Sequence, residues 1–546
     1  GNVTVNNAAS VTVGNGATNP AIGSAGLGGS APFLNYYLNF HTVIIRGDFT
    51  NNGTVRFTNL TYPLYTAFPP ASAGPTSGAA SVYFQGAADN TLTCNGTTDF
   101  YNLIVNKGTD QTYKLTINSS EYDNFRLFGA NSLATESVSE NPLLKKALWI
   151  HTGTLVLKGK LIIPSLTEGT APNAHYYIPS NGALVTDGID VVIFTTADDY
   201  REVNTSYGVA APNNSTIGIT TGGNSSLYVF GKLQINNGIL STRESGGIVT
   251  SSTASGQIII NGGTVDAKQM LGSTGSASYT QTGGLFILRG RLQRIPVSYV
   301  TIADITDISN ASLGTSRINN GISTAHGSFN LENPANIYSV SGGIIRIYDV
   351  TLNTGGKAFD VKSSLSNINV TGGSLEIMPV AGTVLADATS FLIYSNAPIY
   401  DLSVNRLGST SVAGLSTPLN VLNDLNLISG SLTANNFNLG VGGDFTIENG
   451  AAYSPGTNTT IFNGSGNQVF TINTGAALSL NALTLNKQAG DSIILAGSQN
   501  IINAAGSFNL TLGTLVDGGK TLNLSGGTII NSGIHTGTGI INLNGT

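Results

Sequence analysis

Charge is what this chain has least of. Lys and Arg number 23 and Asp and Glu 29, so 10% of the 546 residues are charged, against roughly 25% in an average soluble domain. The net charge is only −6, and Val, Ile, Leu and Thr occur throughout. Disorder driven by charge repulsion is therefore excluded. The 23 cations form no cluster fit to neutralise phosphates, which argues against nucleic acid as a partner. Cysteine is nearly absent. Cys94 stands alone, so no internal disulfide can form, and it reads as a small buried hydrophobe. A nucleophilic role would need a neighbouring His, and there are five: His41, His151, His175, His326 and His535. No two of them sit at zinc-ligand spacing, and neither a phosphate loop nor a Ser nucleophile elbow is present. No run of about 18 apolar residues occurs, so no helical membrane span is expected.

Gly, at 69 residues, together with Asn, Ser and Thr fills the gap. These are poor helix formers, which argues against an ordinary helical enzyme. The polar, weakly charged surface fits an exported protein. The opening GNVTVNNAASVTV and the closing GIINLNGT are both already in the chain's own pattern. Both ends are expected to be cuts through a longer or processed protein.

That pattern is apolar alternation with period two, the period of a strand. It is seen in Thr154-Leu155-Val156-Leu157-Lys158, Leu285-Phe286-Ile287-Leu288-Arg289 and Ile344-Ile345-Arg346-Ile347-Tyr348. Ten Asn-Gly dipeptides and several Gly-Gly pairs punctuate it, and such residues turn the chain at positive φ. A corner-then-strand unit recurs at Gly153, Gly238, Gly263, Gly284, Gly343, Gly373, Gly430 and Gly513. Its short separations are roughly 20–30 residues, and a strand after a Gly corner at that period marks a solenoid. A longer repeat overlies it. Phe100-Tyr-Asn-Leu-Ile-Val-Asn-Lys107, Ile399-Tyr-Asp-Leu-Ser-Val-Asn-Arg406 and Leu480-Asn-Ala-Leu-Thr-Leu-Asn-Lys487 align. The last two stand one module apart, roughly 80 residues. Phe84-Gln-Gly86 and Phe462-Asn-Gly464 precede the first and third by similar distances.

The expected fold is all-β: a parallel β-helix or β-solenoid with short loop excursions and at most one short helix. Inward positions are Leu, Ile, Val and Phe; outward ones are Thr, Ser, Asn and occasional Lys. Roughly 23 residues per coil gives ~24 coils and a rod ~110 Å long. A string of immunoglobulin-like sandwiches would need a buried Trp in each, and only Trp149 exists. Three regions are expected. Residues 1–80 are N-terminal coils with aromatic-rich excursions over 14–40 and 61–80. Residues 81–390 are a central solenoid with insertions at about 119–147 and 195–225. Residues 391–546 are two ~80-residue modules. Ser139–Ala147 has helix start and stop signals and could be the one short helix.

Candidate chemistry is sparse. Asp198, Asp199, Arg317 and His326 resemble pieces of the polygalacturonase pattern. However, several coils lie between Asp199 and His326, and nothing forces two carboxylates to the separation of about 5–9.5 Å that a glycosidase needs. Asp304, Asp307 and Asn310 recur every three residues and could offer some oxygen ligands to a structural Ca²⁺. Turn capping by Asp is the favoured reading there, as it is for Asp187 and Asp190. No other cofactor is expected. Tyr36, Tyr37, Tyr62, Tyr65 and Phe68 are candidates for stacking on sugar rings; the alternative is that they cover an open flank of the solenoid.

FNGSGNQVFTI at 462–472, FYNLIVNK at 100–107 and LNLSGGTI at 522–529 resemble repeats of giant Bacteroidota surface proteins, the gliding-motility adhesins exported by type IX secretion. The resemblance is clearest over residues 82–107 and 391–546. It implies a segment of an extracellular bacterial surface filament that provides reach and attaches to surfaces or polysaccharide without catalysis. Its partners would be other segments of the same giant chain and the type IX export and anchoring machinery. Two alternatives are a carbohydrate-active β-helix hydrolase or lyase and the trimeric shaft of a tail-spike-like protein.

Overall fold

The computed structural model describes residues 1–12, 38–57, 77–100, 102–127, 148–163, 176–194, 226–242, 247–250, 256–272, 275–290, 292–294, 313–317, 327–350, 357–378, 391–406, 412–478 and 480–545. Among them the chain is almost all parallel β-sheet, the solenoid-like all-β fold that the alternation predicts. Helical structure among the described residues amounts to two single 3-10 turns, Tyr122–Asn124 and Leu365–Asn367. The helix expected over 139–147 lies outside them. The chain divides into two compact units: Gly1–Lys268 with Thr274–Thr280 and Arg294–Ser312, and Gln269–Ser273 with Gln281–Gln293 and Leu313–Thr546.

The second unit shows the coil most plainly. Phe445–Ile447, Ala451–Ser454 and Thr459–Phe462 make three short strands. Gln468–Ile472, Ala477–Leu478 and Ala482–Asn486 repeat them one coil later, each in parallel register with its counterpart. Leu402 pairs with Leu425, Leu425 with Phe445, Phe445 with Phe470 and Phe470 with Leu495. Side-chain bonds between these coils span similar lengths of chain: 20 positions from Asp424 to Asp444 and 25 from Asp444 to Val469. The expected coil length therefore holds wherever no excursion intervenes. All five paired side chains face inward and are at most 4% exposed. Stacking puts like on like: the Phe445 and Phe470 rings lie 5.1 Å apart at 21°. Burying each such side chain contributes about 1.5–3 kcal/mol before ordering costs.

The first unit follows the same rule with longer advances. Phe49, Leu92, Ile117 and Leu157 form one inward row, and Leu184, Leu233 and Ile258 another. The step from Leu184 to Leu233 is far longer than that from Leu233 to Ile258, because 195–225 intervenes in the first.

All eight corner glycines have positive φ, between +65° and +90°. Several mark bends within one strand rather than turns between strands. Leu425–Thr433 pairs with Phe445–Ile447 at its start and with Ala451–Ser454 from Gly430 onward. Gly430 is thus the point where a continuous strand passes from one face to the next.

Two expectations need correction. The sequence places residues 38–40, 77–80 and 119–127 in excursions. Instead Leu38–Ile45 pairs in register with Ser77–Gly86, and Phe125–Leu127 pairs with Thr98–Phe100. Main-chain bonding to the neighbouring coil fixes these rungs where side-chain alternation is weak. The aligned octets also occupy different faces. Asp401–Asn405 belongs to the large sheet and Ala482–Asn486 to a six-stranded one, so the long repeat does not equal a whole number of coils.

Gly430 (φ +73°) would place an added Cβ 2.6 Å from the Arg406 Cβ, whereas Gly450 (φ +81°) has open space around it. Gly430→Ala is expected to cost about 3 kcal/mol, combining left-handed strain with overpacking. Gly450→Ala is expected to cost about 1 kcal/mol, from strain alone. Urea unfolding midpoints of the two variants check the ordering.

Candidate functional site

The residues singled out for sugar stacking, Tyr36, Tyr37, Tyr62, Tyr65 and Phe68, lie outside the described residues. So do Asp304, Asp307 and Asn310, and so do Asp198, Asp199 and His326. Arg317 ends the strand Leu313–Arg317. Among the described residues no three of His, Cys, Asp and Glu converge to hold a metal ion. Cys94 is fully buried, and burial pushes its thiol up to about 12, so it carries no thiolate at neutral pH. Asp187 accepts from Lys158 Nζ at 2.8 Å and from Asn236 Nδ2 at 3.2 Å. These side-chain bonds join three coils. The Lys158 bond is the main cause that holds the carboxyl below its ordinary value.

The closing cation of each octet is buried, which for the two lysines corrects the expectation that Lys faces outward. Lys107, Arg406 and Lys487 are 0%, 1% and 3% exposed. Each lies beneath a corner glycine of the next coil: Gly153, Gly430 and Gly513 respectively. The two lysines are capped alike. Lys487 Nζ donates to the Gly464 carbonyl at 2.5 Å and to Gln468 Oε1 at 2.6 Å. Lys107 Nζ donates to the Gln85 carbonyl at 3.4 Å and to Asn90 Oδ1. Asn90 and Gln468 each stand four positions after the Gly of the Phe-x-Gly triplet, Gly86 and Gly464. Phe-x-Gly, amide and cation are therefore one structural motif: the amide oxygen and a loop carbonyl solvate the ammonium inside the corner. Arg406 solves the same problem differently. Its guanidinium lies 3.5 Å from the centre of the Phe391 ring and donates to the Tyr348 carbonyl at 3.3 Å. A lone Lys after alternating residues reads as a solvated end, which is why the sequence places it outside.

Buried carboxylates serve similarly as ties between coils. Asp99, fully buried, receives Arg56 Nε and Arg126 Nε at 2.7 Å each, from the coils on either side of it. Asp360 receives Asn330 Nδ2 at 3.5 Å from the preceding coil, and Lys357 Nζ at 2.7 Å from its own strand. The Lys357 and Lys362 ammonium groups lie 5.4 and 5.7 Å from the centre of the Tyr394 ring.

The first unit also carries aromatic register lines that the sequence reading missed. Ile44, Tyr83, Ile104 and Trp149 occupy one line; Ile44 is 49% exposed at its edge and Ile104 is buried within it. Tyr177, Tyr228 and Val249 occupy another. Tyr177 is 42% exposed. Its ring stacks on Tyr228 at 5.1 Å and on Phe230 at 5.8 Å, tilted only 23° and 8°. Residues 58–76, 128–147, 164–175 and 195–225 lead into strands of these two lines, beginning at Ser77, Leu148, Tyr176 and Leu227. The expected sugar-stacking residues Tyr62, Tyr65 and Phe68 thus lie in the chain just ahead of the Tyr83 strand.

With this geometry in view, comparison with known proteins adds no relative. No family model, curated protein or solved structure matches the chain.

Burial holds the Lys107 and Lys487 ammonium groups below their usual 10.5, opposed in part by Asp89 and Asp48 and by Asp491 and Asp444 respectively. A Lys with a depressed folded value binds fewer protons folded than unfolded. Its contribution to stability therefore rises with pH up to about 10.5. Lys487→Met removes that dependence and strips the Gly464 carbonyl of its partner. The variant is expected to lose about 1–3 kcal/mol near neutral pH. Its deficit against the parent chain should widen toward about pH 10. Urea titrations at several pH values test the sign.

Proposed function

We propose that this chain is a non-catalytic segment of a bacterial surface filament, extending from the cell and attaching to polysaccharide or other surfaces. The observation that carries the reading is the stack of Tyr177, Tyr228 and Phe230 rings in the first unit, with Tyr177 42% exposed. Parallel stacking repeats an outward ring at strand spacing. Near-parallel tyrosine and phenylalanine rings offer apolar area with few lost rotamers. Many weak contacts along one chain add through effective concentration, so no single residue has to supply the affinity. The buried Lys–amide and Asp–Arg ties support a role under tension: each joins successive coils by side-chain bonds in addition to the main-chain ladder.

On this reading the partners are insoluble polysaccharide, other surfaces and further segments of a longer filament. Type IX export is the route implied by the resemblance of the repeats. Retention on a panel of insoluble glycans is expected without release of reducing or unsaturated ends. Release of such ends would establish the hydrolase or lyase reading instead. Tyr177→Ala with Phe230→Ala is expected to weaken retention about tenfold while circular dichroism stays unchanged. Equal retention by the variant would overturn the role of the aromatic row.

A further inference from the structure

The two lysine corners look alike but differ in one chemical respect. Lys107 stacks in register on Gly86 of the preceding coil. Asn90 opens the strand Asn90–Cys94 of that same preceding coil. Lys107 Nζ donates to Asn90 Oδ1, and its other acceptor, the Gln85 carbonyl, is 3.4 Å away. A carbonyl bond is about 1.23 Å long, so an amine in contact with Oδ1 is also within reach of Asn90 Cγ. Both side chains are buried, and Asn90 pairs in register with the fully buried Leu115. Gly153 of the following coil closes the space above: an added Cβ there would lie 2.5 Å from the Lys107 Cβ. An amine and an amide carbonyl are thus held together where little water enters, with the entropy of their meeting already lost.

The corners part at the amide nitrogen. Gln468 Nε2 donates to the Val441 carbonyl at 3.0 Å and to the Gly443 carbonyl. Gln468 Oε1 accepts from the Gly464 N–H at 3.2 Å as well as from Lys487. That amide is engaged at both ends. Asn90 Nδ2 has no acceptor among the described residues. The nitrogen that an acyl transfer must expel is therefore tied down in one corner and loose in the other. Burial favours the neutral form of the Lys107 amine, and the nearest opposing charges are Asp89 and Asp48. Asp48 is fixed by the Thr91 N–H and Asp89 by the Lys114 N–H.

We propose that Lys107 and Asn90 join in an intramolecular isopeptide bond, a covalent rung between successive coils. The lone pair of the neutral amine attacks Cγ, a Nζ–Cγ bond forms and the Cγ–Nδ2 bond breaks. Nδ2 leaves as ammonia, with the proton that Nζ gives up carried across by one of the two carboxylates. One amine and one primary amide become one secondary amide and one ammonia, so the step needs no co-reactant. The bond closes a loop between positions 17 apart and adds a covalent tie to the hydrogen-bonded ladder. Lys487 and Gln468 stay hydrogen-bonded. The inference does not rest on the adhesive role.

Intact-mass spectrometry of the folded full chain is expected to read one ammonia less than the sequence. Tandem spectra of a protease digest should find the peptides of Asn90 and Lys107 joined. Lys107→Arg, which keeps a cation in the corner, and Asn90→Ala should each restore the full sequence mass. Lys487→Arg should leave the loss in place. Circular dichroism establishes that each variant folds, and the joined peptides of the parent chain decide the matter even where a variant does not. A folded parent chain that keeps its full sequence mass after prolonged incubation at neutral pH overturns the proposal. So does an ammonia loss that persists in Lys107→Arg, which marks a cyclised Asn-Gly dipeptide, or a crosslink that maps to Lys487 and Gln468.

Discussion

Parallel stacking at one strand spacing is the constraint from which the rest of this structure follows. Because each coil lies in register on the last, every side chain has its own kind of position above and below it. An apolar residue at an inward position joins a column, as Phe445 and Phe470 do at 5.1 Å. A charged one joins a column as well and must find its counter-group in the adjacent coil. Asp99 between Arg56 and Arg126 is such a solution. A sequence with 10% charge has few such problems to solve, and the scarcity of charge is itself a condition for stacking, since like charges in register would repel.

Much of this architecture was legible in the sequence, because alternation and glycine report directly on backbone geometry. The eight glycines of the corner-then-strand unit all have positive φ, whereas among the described Asn-Gly dipeptides only Gly238 and Gly450 do, and the coil length inferred from short repeats agrees with the register of the second unit. What was not legible depends on which coil lies next. Lys107 and Lys487 look solvated in isolation. Their burial is decided by Asn90 and Gln468, 17 and 19 residues away, and by a glycine in the coil above. The aromatic row was hidden for the same reason. No fixed period connects these rungs: Tyr83 to Ile104 is one uninterrupted coil, while excursions lengthen the steps from Ile104 to Trp149 and from Tyr177 to Tyr228. The sugar-stacking and calcium candidates lie outside the described residues, so the sequence reading and the structural surface meet only at the strand ends.

The buried cations connect local sequence to cooperativity. A solenoid is stabilised chiefly between neighbours, and a break in one rung would propagate little. An ammonium held inside a corner changes this balance. It bonds to groups in its own and the preceding coil while filling the space beneath the bend of the following one. Three coils thereby share one residue, and the motif recurs beneath the corner glycines Gly153 and Gly513. Desolvation keeps the two lysines below their usual value. That penalty accompanies a polar staple set where an aliphatic residue could not satisfy the loop carbonyls.

The bent strands at Gly153 and Gly430 have a consequence for how such chains change length. At these corners one strand serves two faces with no intervening loop, paired in register with the strands of neighbouring coils. An inserted residue would shift every inward position after it onto the wrong face. Added segments are therefore confined to the corners ahead of strands such as Ser77–Gly86, Leu148–Gly159 and Leu227–Val229. Variation among related chains, and any foreign peptide grafted for display, belongs at that one seam while the opposite corners keep their spacing.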